Sequence, residues 1–153
     1  MRRFAAPIAV VTVVADEREL GVTVGSFGSL SLEPALAGVS IGLGSPLHEP
    51  LRQLGRFSAS LLAGDQGAVA QHFARGVPPI ALWSGVARHP SEVPEPLLEG
   101  ALAWLACRVE HECEAGLISC EQARGEAPGL AQGLVERRAS ADRDADERRL
   151  ERE

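Results

Sequence analysis

Three short stretches alternate bulk with near-absence of bulk, and this pattern restricts the chain to a sheet protein of an unusual kind. In "GVTVGSFGSLSLEP" (21–34), Val22 and Val24 alternate with Thr23 and Gly25, and then Ser26, Gly28, Ser29 and Ser31 stand where a core strand would carry bulk. "ALAGVSIG" (35–42) sets Ala37, Val39 and Ile41 on one face and Gly38, Ser40 and Gly42 on the other. "FSASLL" (57–62) sets Phe57, Ala59 and Leu61 against Ser58 and Ser60. Read together, the three are strands with a face of small residues, against which a flat body can lie.

The rest of the chain fits a sheet. "IAVVTVV" (8–14) is β-branched and apolar, which predicts a strand buried on both faces, and "ADERE" after it is a polar turn. A short helix is predicted around 47–54 from Leu47, Leu51 and Leu54, and a second from Asp65 as N-cap through Val69 and Phe73 to Gly76. Residues 77–96, rich in proline, read as a loop over the surface. The second half of 97–113 alternates as a strand, with "GLISCEQ" placed to pair back onto it. From Glu136 the chain is a mixed-charge tail, so the expected division is a domain over 1–135 and a tail over 136–153. Strands dominate without βαβ alternation, which favours an antiparallel barrel with short helical insertions over a parallel sheet.

Composition narrows the function. At 153 residues with 45% hydrophobic content the chain can bury one core. A net charge of -6 argues against a general nucleic-acid binder. No stretch approaches the ~20 apolar residues of a membrane span. The N-terminal apolar run is short, contains Pro7 and has no small-x-small cleavage site, so a cytoplasmic protein is expected. Cys107, Cys113 and Cys120 lack C-x-x-C spacing and read as reduced thiols, with no metal site assigned. No G-x-S-x-G occurs and no carboxylate pair has local context, so nothing supports a hydrolase.

One motif points to a ligand. "SIGLGSPLHEP" (40–50) is a strand end, a glycine turn and a helix entry, where free backbone N–H groups favour an anion such as a phosphate. Gly42 and Gly44 allow close backbone approach, and Ser45 and His48 can donate. The third glycine of G-x-G-x-x-G is missing, so this is not a dinucleotide fingerprint.

The blocks "RRFAAPIAVVTVV", "GVTVGSFGSLSLEPALAGVSIGLGSPLHE", "GRFSASLLAGDQGAVAQHFARG" and "PLLEGALAWLACRVEHECEAG" resemble, in order and spacing, the flavin reductase-like domain family. That family includes the reductase components of two-component flavin monooxygenases. The resemblance implies a mainly β, antiparallel split β-barrel with short helices, a homodimer, binding of FMN or FAD, and oxidation of NADH or NADPH. It places the flavin ring and ribityl chain along Thr23, Val24, Gly25 and Ser26, with Ser40, Ile41 and Gly42 on the adjacent strand. Ser45, Leu47 and His48 would stand near the phosphate, and Phe73 and Ala74 would close the far side. No acid, base or nucleophile is assigned, because hydride transfer between stacked rings needs none.

The chain departs from the family pattern at named positions. Members commonly carry Asn at Gly25, Thr at Gly28, and a basic residue and a Thr at Pro46 and Leu47. A Gly-Asp-His segment would follow "EHECEAG", where Leu117, Ile118 and Ser119 stand. A second reading therefore stays open: a dimeric barrel that holds flavin without turnover or has lost it.

Overall fold

The computed structural model describes residues 7–113 and 117–122. β1 (Ala9–Ala15) and β2 (Arg18–Val24) form a hairpin, with Asp16 and Glu17 both at positive φ, as a two-residue turn matched to strand twist requires. β3 (Gly28–Leu32) and β4 (Ala35–Ser40) form the next hairpin, followed by α1 (His48–Leu54) and β5 (Arg56–Leu61). α2 (Gly67–Ala74) and α3 (Pro79–Leu82) precede a two-residue pair, β6 (Arg88–His89) and β7 (Leu97–Leu98), and then β8 (Ala103–Cys113) and β9 (Leu117–Gln122). The main sheet has seven strands in the order β2-β1-β5-β8-β9-β4-β3, all antiparallel. β2 and β3 are its two edges, although they are consecutive in sequence. This is the antiparallel barrel with short helices expected from the strand patterning, in the split form that the family resemblance implies.

β1 is buried on both faces. Ala9, Val11 and Val13 join Val24, Phe27, Val39, Ile41, Leu47, Leu51 and Phe57 in the principal core. Val10 faces the other way and packs with Phe73, Leu82 and Leu98 beneath α2 and α3. Two hydrophobic layers thus share one strand, which explains why "VVTVV" has no polar alternation apart from Thr12. Ile8 lies ahead of the strand and is exposed.

Several expectations are corrected. The stretch 21–34 is not one strand: it breaks at Gly25–Phe27, and its halves lie at opposite edges of the sheet. Asp65 does not cap α2. Gln66 holds that position, accepting from Ala63 N at 2.9 Å and donating to Glu99 O at 2.7 Å. The segment 77–96 is not merely a surface loop, since it contains α3 and β6, buries Leu82, and ends in the buried run Glu95–Leu98. That run lies over the outer face of β1 and β5. Thr12 Oγ1 donates to Pro96 O at 2.9 Å, and Leu98 N donates to Ser60 Oγ at 3.1 Å.

One small-residue face and part of a second are therefore filled by the protein itself. Ser60 on β5 is small where the 95–98 run crosses it. Gly38 on β4 is small because Leu30 of β3 covers it; a Cβ there would lie 3.1 Å from Leu30 Cδ1. The charged tail from Glu136 lies outside the described residues.

Candidate functional site

The remaining small residues, Gly25, Ser26, Ser40 and Gly42, meet at one place. The end of β2, the connection to β3, the end of β4 and the turn into α1 enclose a cavity of about 490 Å³, within the range of small-molecule sites. It is lined by Val22, Thr23, Val24, Gly25, Ser26, Ser40, Ile41, Gly42 and Ser45. None of these side chains is ionisable, and Val24 and Ile41 form an apolar floor continuous with the core.

Space beside the glycines is open. A Cβ built at Gly25, Gly42 or Gly44 meets no heavy atom within 4 Å, and none of the three has a positive φ. Neither packing nor φ demands glycine at these positions, as at Gly28, Gly64 and Gly67, and Gly25 and Gly42 are the two of them that line the cavity.

The hydroxyls divide by what they already bind. Thr23 Oγ1 donates to Ala70 O at 2.6 Å, tying β2 to α2. Ser26 Oγ donates to Ser40 O at 3.2 Å and accepts from Ser40 N at 2.9 Å. Ser45 Oγ accepts from Leu47 N at 3.3 Å and retains its own proton to donate. Ser40 Oγ has no partner among the described residues, so it too is available.

The helix entry is less open to an anion than its sequence suggests. Ser45 N donates to Gly42 O at 2.9 Å and His48 N to Ser45 O at 3.1 Å, while Leu47 N is taken by Ser45 Oγ. Pro50 has no N–H to offer. Three of the turn's own donors are thus engaged within it.

Thr23, Val24, Gly25, Ser26, Ser40, Ile41, Gly42 and Ser45 are thus brought together, and four other candidates do not line the cavity. Leu47 points into the core and is fully buried. His48 stands 3.8 Å from Glu112 Oε1, whose other oxygen accepts from Arg52 Nε at 3.0 Å. Phe73 is buried against Gly21 and Trp83, with the two rings 5.1 Å apart, and Ala74 is exposed at the end of α2. Val22 lines the cavity without having been singled out. Its parity with Val24, two residues on along the same strand, is the signal that could have found it.

A larger cavity, about 660 Å³, lies at the opposite end of β2 among Val14, Glu17, Arg18, Glu19, Pro79, Ile80, Trp83, Arg88 and Pro94. It has no glycine at its wall. Arg88 is paired with Glu19 at 2.6 Å and lies 4.9 Å from the Trp83 ring centre, so two of the four charged groups there are engaged with each other. The smaller cavity fits a flat ring better, because backbone can approach the ring only where Cβ atoms are missing.

A split antiparallel barrel with an uncharged, glycine-edged cavity at a strand end is suited to gripping a flat cofactor, and no lining side chain is a base that could activate its serine hydroxyls. The chain belongs to the flavin reductase like domain family, whose model matches residues 1–128. It is 38% identical over 123 residues to an NADH-dependent flavin reductase of a Rhodococcus species, covering 74% of this chain and 64% of that one. It is 35% identical to the reductase component of 4-hydroxyphenylacetate 3-monooxygenase from Thermus thermophilus, covering 85% of each. Among solved structures it is similar to the Streptomyces globisporus NADH:FAD oxidoreductase in complex with NAD and FAD fragments. The TM-score is 0.72 at 31% identity, over 78% of this chain and 73% of that one. The chain thus spans somewhat less than two thirds of the Rhodococcus relative's length.

Among the described residues, no helix is long and apolar enough to cross a membrane.

Proposed function

We propose that this chain is an NAD(P)H-dependent flavin reductase that takes FMN or FAD in the cavity between residues 22–26 and 40–45. The observation that carries the reading is that Gly25 and Gly42 line this cavity with open space beside them, where neither packing nor φ calls for glycine. Relatives whose names specify NADH and flavin support the same chemistry.

The flavin, when bound, supplies acceptance of a hydride from the nicotinamide. The chain's part is to hold and to shield. Val22, Val24 and Ile41 offer an apolar floor to the ring system, and Gly25 and Gly42 let the main chain come within contact distance of it. Ser40 and Ser45 keep hydroxyl protons for acceptor atoms of the ligand. No lining side chain is required to move a proton, and none is equipped to.

Reductase components of two-component monooxygenases among the relatives support an oxygenase that consumes the reduced flavin, and a cytoplasmic setting accords with such a supply role. A homodimer is part of the same proposal, since Leu43 in the turn beside the cavity is 73% exposed and Leu32, at the far end of edge strand β3, is 81% exposed.

NADH oxidation by the purified chain, with and without added FMN or FAD, tests the activity. Turnover that depends on added flavin is expected. Flavin binding without NADH oxidation would establish a carrier in place of a reductase.

A further inference from the structure

We propose that Ser26 is a positioning residue: its hydroxyl sets the separation of the two cavity walls and donates nothing to the ligand. This rests on the cavity being the flavin site. The β3–β4 ladder pairs Gly28 with Gly38 and Ser29 with Ala37, so its register, carried two residues further, sets Ser26 opposite Ser40. At that rung the ladder changes character. Instead of a main-chain pair, the Ser26 side chain accepts from Ser40 N at 2.9 Å and donates to Ser40 O at 3.2 Å.

One hydroxyl thus replaces both main-chain partners of a β-bridge. Main-chain pairing would have continued the hairpin across the cavity mouth; a side chain inserted between the strands keeps them joined but further apart. The Ser26 proton and one lone pair are spent on Ser40, so the hydroxyl has no proton for a ligand. Its own main-chain N–H and C=O have no partner among the described residues, and they border the cavity. Alanine removes the link, while threonine keeps the hydroxyl and adds a methyl at an exposed position, where there is room.

The test compares Ser26→Ala and Ser26→Thr in the full chain by two readouts. The first is hydrogen exchange of the Ser40 amide without flavin. Ser26→Ala should speed it by about tenfold, as loss of a hydrogen-bonded partner implies, and Ser26→Thr should leave it near wild type. The second is FMN titration by flavin fluorescence. Ser26→Ala should weaken binding by about tenfold, the upper end of what one net hydrogen bond contributes, and Ser26→Thr should restore it. Ser40 exchange that is unchanged in Ser26→Ala overturns the proposal. So does faster exchange with unaltered FMN affinity, because the link would then not govern the cavity. A wild-type chain that binds no FMN defeats the functional reading instead, and the exchange arm still reports whether the Ser26 link holds the two walls.

Discussion

Gly25 separates two explanations of a small residue. Had its φ been positive, any side chain would strain the backbone, and even Gly25→Ala would destabilise the fold. It is not positive, and a Cβ there meets open space. Gly25→Ala should therefore leave the melting temperature of the flavin-free protein within a degree or two, a change of less than about 0.5 kcal/mol. Gly25→Leu should also fold, yet place its branched side chain in the ligand's volume and lower FMN affinity by about tenfold or more, in line with the cost of overpacking. A melting temperature that falls sharply for Gly25→Ala would restore the conformational explanation. The sequence made this residue conspicuous but could not separate it from Gly38, which has the same neighbours in kind. Only the fold shows that Leu30 lies over Gly38 and nothing lies over Gly25. His48 and Leu47 do not line the cavity for a related reason: a turn's donors look free in sequence, and whether the turn spends them on itself depends on its closure.

Between β2 and α2, smallness serves packing alone. A Cβ at Gly21 would lie 2.9 Å from two atoms of the Phe73 ring, and that ring is wedged between β2 and Trp83. Gly21→Ala should cost about 1–3 kcal/mol by overpacking, measured as a fall in the denaturation midpoint, with FMN affinity per folded molecule nearly unchanged. The outer face of β1 gives a matching case in polar chemistry. Thr12 is fully buried and donates to Pro96 O at 2.9 Å, with Ser58 O 3.4 Å away. Thr12→Val keeps the shape and leaves the Pro96 carbonyl unpaired, so it should cost about 1–3 kcal/mol of stability. Strand β1, the hairpin turn at Asp16–Glu17, and the alternation of β8 were legible because each is a local pattern with a local cause. The burial of Glu95–Leu98 was not. Proline density signals irregular backbone, and it carries no information about which sheet face that backbone crosses. The small face of β5 then looked like ligand surface when the covering segment came from elsewhere in the chain.

The assembled barrel leaves apolar side chains uncovered, among them Leu30 at 61% and Leu32 at 81% exposure on edge strand β3. An open edge carrying exposed leucines is a surface that soluble proteins cover. Sedimentation of the full chain at micromolar concentration should give a dimer; a species near the 16.2 kDa of one chain would contradict this. The fold also presents two cavities at opposite ends of β2, and the larger is not the one assigned to flavin. Family resemblance in the sequence implied a flavin and named eight of the nine residues that line the smaller cavity, and the choice between cavities rests on the glycines. A crystal of the chain soaked with FMN decides it. Electron density for the isoalloxazine ring is expected against Val22–Gly25 and Ser40–Gly42, with the polar ring edge near Ser40 or Ser45. Ring density beside Trp83 and Arg88 instead, with the glycine-edged cavity holding only solvent, would contradict the account.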